Sequence, residues 1–131
     1  MKDMLIDEFQ YTVQELIFRN KSIVDSITKF QESNARVNRA IVKAVTHCGC
    51  IRINAEKQKL PEDGSFEEIR KAMDTHVSGK LCDNCRDRIE KELGKNLYYM
   101  ASICNTLDLN LYDIIIKEQN HVKLLGQFNL E

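Results

Sequence analysis

Proline occurs once in this chain of 131 residues, glycine five times and tryptophan not at all. Sandwiches and barrels turn often and rely on such residues at their turns. Six prolines and glycines fall well short of the usual share of about 12%, so the composition points to helices. No apolar run reaches the ~18 residues of a membrane-spanning helix. Neither sign of charge dominates, with 19 Lys and Arg against 20 Asp and Glu. A globally basic nucleic-acid binder is therefore not expected. The opening MKDMLIDEF puts acids where a secretory signal has its apolar stretch, which predicts an unsecreted, cytoplasmic protein. The 43% of hydrophobic residues predicts a packed core rather than disorder.

Cysteine is plentiful by comparison, with five residues. A reducing compartment disfavours a disulfide framework. Cys48 and Cys50 form a C-x-C pair in HCGC, and Cys82 and Cys85 a C-x-x-C pair in LCDNC, with 31 residues between the pairs. Four thiolates are the ligand set of a closed tetrahedral zinc site. Such a site would clip the excursion at about 48–85 to the rest of a single domain spanning 1–131. Three other readings of the same spacing stand beside it: an iron–sulfur cluster, which nothing else in the sequence favours, reduced cysteines without metal, and a disulfide. His47 and His76 lie near the pairs as capping or surface residues, or as substitute ligands. His121 has no sequence neighbour to pair with and is expected to face solvent. Cys104 falls on an apolar stripe and is expected in the core.

The stripes are helical. Leu5, Phe9, Val13, Leu16 and Ile17 recur at three and four, as do Ile23, Ile27 and Phe30, then Val37, Ile41 and Val45. They predict helices over about 3–19 and 22–47, the second capped by Ser22 with Asp25. Residues 52–64 hold the single proline and no period, and read as a loop. Ser65 with Glu68 opens a short helix over about 66–74, and THVSGKLCDNC reads as a second loop or turn. The stripe resumes from Cys85 through Leu107. Asn110 with Asp113 caps a last helix, for which Gly126 is the expected stop. The expected fold is all-α, a bundle of four main helices plus one short one. Arg36, Arg39 and Lys43 share one helix face that could meet a phosphate or an acidic partner; three charges support only weak binding, and a solvated surface is expected. The chain has no G-x-S-x-G, Walker A or H-E-x-x-H pattern.

Residues 89–123 carry Glu92-Leu93-Gly94, Leu97-Tyr98-Tyr99, Asn105, Leu107, Leu109, Leu111, Lys117 and Asn120. This segment resembles the MazG-like all-α nucleoside triphosphate pyrophosphohydrolases. The resemblance implies a homodimer, a nucleotide ligand contacted by Lys117 and Asn120, and Mg²⁺ held by E-x-x-E and E-x-x-D motifs on two helices. Here Lys95 stands where the last acid would be, and His47 and Cys50 where the first two would be. Glu92 alone is retained. Hard carboxylates suit Mg²⁺ and a His/Cys set does not. The cysteine spacing is also similar to the zinc centre of redox-regulated heat-shock chaperones. The expected function is therefore a zinc-binding protein, catalytically inactive or regulatory. An active magnesium-dependent nucleotide pyrophosphohydrolase built on Glu92 and a thiol/zinc redox sensor are the alternatives.

Overall fold

Three of the helices begin at polar residues that cap them. Ser22 Oγ accepts the Val24 N–H and Ser65 Oγ the Glu68 N–H, both at 3.3 Å, and Asn110 Oδ1 accepts the Asp113 N–H at 2.8 Å. Each cap satisfies a donor with no partner inside its helix and contributes about 1 kcal/mol. The computed structural model describes residues 4–128. Its helices are α1 (Leu5–Leu16), α2 (Ile23–Lys43), α3 (Phe66–Ala72), α4 (Asp83–Thr106) and α5 (Leu111–Phe128). The fold is all-α, as the composition and periodicity predict. α2 and α4 pack along each other, α1 lies against α4, and α5 lies against α1.

Three features differ from the expectations. The helix predicted to run to residue 47 leaves α geometry at Lys43 and closes with one π-helical turn, Ala44–Cys48. The loops around it contain a small antiparallel hairpin, β1 (Ile51–Ile53) and β2 (Val77–Gly79), with Ile51 opposite Gly79 and Ile53 opposite Val77. Gly126 is no stop: α5 continues to Phe128, and Gly126 lacks the positive φ of a left-handed cap.

The core is small and split. At one end Val13, Ala101, Cys104 and Leu111 are buried together, covered by Ile6, Phe9, Tyr98 and Met100. At the other end Ala44, Ile51 and Ile89 are buried, covered by Ile41, Val45, Leu81, Cys50 and Cys85. A polar link is also buried: Ser26 and Ser102 hydroxyls meet at 2.9 Å, joining α2 to α4, and Ser26 Oγ donates to the Asn20 carbonyl at 2.8 Å. Small hydroxyls let the two helices approach closely there while keeping their polar atoms bonded.

Candidate metal centre

The first cysteine pair is presented by the π turn. The Gly49 N–H donates to the Ala44 carbonyl at 2.9 Å, one residue further back than in an α-helix. Gly49 then takes φ +83°, which a side chain at that position would resist. The reversal sets Cys48 and Cys50 on one side of the turn. Ile51 follows at once, buried against Ala44 and Ile89, and anchors the start of β1.

The second pair arrives through the hairpin. Pairing of Ile51 with Gly79 lays the chain leaving Cys50 beside the chain approaching Cys82. Gly79 has φ +86°, and a Cβ there would sit 2.5 Å from the Cys50 carbonyl oxygen. Only glycine permits that approach. Cys82 then caps α4, its Sγ accepting the Cys85 N–H at 3.4 Å. The C-x-x-C spacing is thus a helix N-cap and its first turn, where partial positive charge favours a thiolate.

The result is a cluster of four sulfurs, from Cys48, Cys50, Cys82 and Cys85, all within 4.8 Å of one another. The Cys48 and Cys82 sulfurs are 3.8 Å apart, and the Cys50 Sγ lies 3.8 Å from the Ala44 carbonyl. Cys48 is exposed and the other three are half-buried. The Cys85 amide, then the Cys85 thiol, draw the pKa of Cys82 down to about 7. The same contact, with burial adding to it, holds Cys85 up to about 12. The contact thus favours the thiolate at Cys82 over that at Cys85. Four cysteine sulfurs at this separation can hold a metal ion.

The remaining sequence-predicted residues fall elsewhere. Neither His47 nor His76 joins the sulfur cluster. His76 sits in the turn before β2 at φ +62°, its carbonyl accepting the Asn54 N–H. His121 is exposed as expected but has a neighbour, with Nδ1 3.8 Å from the Glu118 carboxylate. Cys104 is in the core as expected, and burial pushes its thiol up. Glu92 is half-buried on α4, its Oε1 3.5 Å from Lys95. Lys117 and Asn120 are exposed on α5. Asn105 is structural: it bonds to both the side chain and the carbonyl of Gln10. Among the described residues, the cysteines are the one group of three or more His, Cys, Asp or Glu side chains close enough to share an ion.

Neither protein-family models, nor curated proteins, nor solved structures contain a match to this chain.

Proposed function

We propose that Cys48, Cys50, Cys82 and Cys85 hold a structural zinc ion, and that the protein is a zinc-stabilised binding or regulatory protein rather than a hydrolase. The observation that carries this is the sulfur geometry. Four sulfurs at Zn–S ≈ 2.3 Å in a tetrahedron are about 3.8 Å apart, and the Cys48–Cys82 separation is 3.8 Å. All four positions are filled by protein, as in structural sites, with none left open for a substrate. The ion would tie the π turn, the hairpin and the start of α4 together, where few buried apolar groups do so. The test is elemental analysis of protein purified without added metal. One zinc per chain, lost in Cys82→Ser, is expected. Protein that is metal-free and remains so with zinc supplied would sink the reading.

A second reading, the thiol switch, draws on the exposure of Cys48 and the lowered pKa of Cys82. Mild peroxide treatment separates the two. Zinc release with loss of free thiols supports a switch, and thiols and zinc that both persist support a purely structural ion. The MazG-like resemblance supports a homodimer, as do the apolar residues left open on α5. Ile114, Ile115 and Ile116 are each about two-fifths exposed. Three consecutive residues face three directions on a helix, so one packed partner helix cannot cover them all. Light scattering at the mass of two chains is the expected result.

A further inference from the structure

The helices that position the cysteines also build a groove of a different character. Arg36, Arg39 and Lys43 of α2, with Arg88, Lys91 and Lys95 of α4, line a hollow of about 520 Å³ beside Cys48 and Cys85. In both helices the cations stand at i, i+3 and i+7, so each row occupies one helix face and runs about 10 Å. A single carboxylate, Glu92, shares the lining. Six cations against one acid is a strong local excess in a chain whose net charge is −1.

Half of that charge is already matched. Lys91 pairs with Asp87 at 2.9 Å, Arg36 with Glu32 at 3.1 Å and Lys95 with Glu92 at 3.5 Å. Arg39, Lys43 and Arg88 have no ion pair among the described residues. Folding thus gathers three uncompensated cations into one concavity, against their mutual repulsion. One hydroxyl at the same place lacks a partner as well. Ser33, only 3% exposed, has an unbonded Oγ and lines an annex that adjoins the groove through Arg36 and Lys95. Buried polar atoms are nearly always bonded, so this hydroxyl is placed to donate to an anionic oxygen of a ligand. Glu92 Oε2 is also buried without a donor; a phosphate offers it none, and it is the one lining group that opposes an anion.

We propose that the α2–α4 groove binds a compact polyanion with two or more phosphates, without a divalent cation. A free oligophosphate and the phosphate chain of a nucleotide share this chemistry. The volume is that of a small-molecule site. Rows of about 10 Å match a few linked phosphates rather than a long strand, and the acids Asp83, Asp87 and Glu90 on α4 would oppose a strand passing beyond them. The groove's cations come from helix surfaces, so the inference does not depend on which ion the cysteines hold.

Calorimetric titration of the purified full chain tests it, with tripolyphosphate and with ATP, and with no divalent cation added. Both are expected to bind, and to weaken as salt rises from about 50 to about 200 mM. Arg39→Ala, Lys43→Ala and Arg88→Ala should each weaken binding about tenfold. Zinc content and helicity should stay unchanged. Glu92→Gln should tighten binding, since it removes the one opposing charge. Arg70→Ala, on α3 outside the groove, should change nothing. Equal affinity for the two titrants assigns recognition to the phosphates alone, and tighter ATP binding assigns added contacts to the nucleoside. No binding at low salt overturns the proposal. So does loss of binding in Glu92→Gln, which would mark a carboxylate-held cation, or tighter binding of a thymidine oligonucleotide, which would mark an extended nucleic-acid surface.

Discussion

The two ends of this molecule are held by different chemistry. At the α1–α4–α5 end, Val13, Ala101, Cys104 and Leu111 are buried together. Beside them Gln10, itself 8% exposed, acts as a knot. Its Nε2 donates to Asn105 Oδ1 at 2.9 Å and to the Leu109 carbonyl at 2.8 Å, while its Oε1 accepts the Leu111 N–H at 2.8 Å. One side chain thereby fixes α1 to the turn between α4 and α5. At the cysteine end the comparable glutamine, Gln58, is half-buried and bonds only to the backbone of Asp74, closing the excursion on itself rather than tying one helix to another. The apolar centre of this end is one alanine and two isoleucines, above which lie a three-residue hairpin and four sulfurs. A short hairpin is marginal alone in water, so this end needs a further tie. The difference assigns the bundle end to packing and hydrogen bonds, and leaves the cysteine end to the tie that the proposed ion would supply.

Metal removal is the strongest way to break that comparison. Structural zinc contributes on the order of 10 kcal/mol in small thiolate sites. Chelation, or Cys82→Ser, should raise amide exchange sharply across 44–85 and leave α1 and the end of α4 protected. Uniform protection loss, or none, would erase the distinction between the ends. The converse variant is Gln10→Ala, which strands the Leu111 amide and Asn105. A loss of about 3 kcal/mol in urea unfolding is expected, with zinc content unchanged. A loss under about 1 kcal/mol would mean that apolar contact alone holds the bundle end.

What the sequence disclosed follows the same division by range. The caps at Ser22, Ser65 and Asn110 were readable because donor and acceptor lie within three residues. The two cysteine pairs were readable for the same reason. The hairpin was not, since IRI and VSG are too short to show alternation and their register depends on Gly79 meeting Cys50. The π turn leaves no signature in VKAVTHC. The cationic groove was half visible. Arg36, Arg39 and Lys43 read as a solvated face or a weak phosphate contact on their own, and overall neutrality argued only against a globally basic nucleic-acid binder. The missed signal was the recurrence of the same i, i+3, i+7 spacing at Arg88, Lys91 and Lys95, which matters only once α2 and α4 lie side by side.

Gly79 sharpens the comparison within the cysteine end. Gly79→Ala forces a Cβ to 2.5 Å from the Cys50 oxygen at φ +86°. A loss of about 2 kcal/mol is expected, together with weaker zinc retention, because the same contact sets where Cys50 meets Cys82. Loss of stability with zinc affinity intact would uncouple the hairpin from the metal site.

The smallest expected effect compares one thiol from each end in metal-free protein. Cys82 is lowered to about 7 by the Cys85 amide and thiol, while desolvation raises Cys104 in the core. Because the folded-state pKa of Cys82 lies below its unfolded value, its contribution to stability is full above about pH 9 and fades as pH falls through 7. Cys85, held up to about 12, acts in the opposite sense: its contribution is full below about 9 and is lost as pH rises toward 12. Metal-free protein should thus gain stability from pH 7 to 9 and lose it above. The thiolate is the nucleophile, so iodoacetamide at pH 7.5 should label Cys82 at least about tenfold faster than Cys104, as read by peptide mass spectrometry. Added zinc should abolish the Cys82 labelling and leave that of Cys104 unchanged. Equal rates at the two positions would remove the difference in thiol reactivity between the ends, that from burial included.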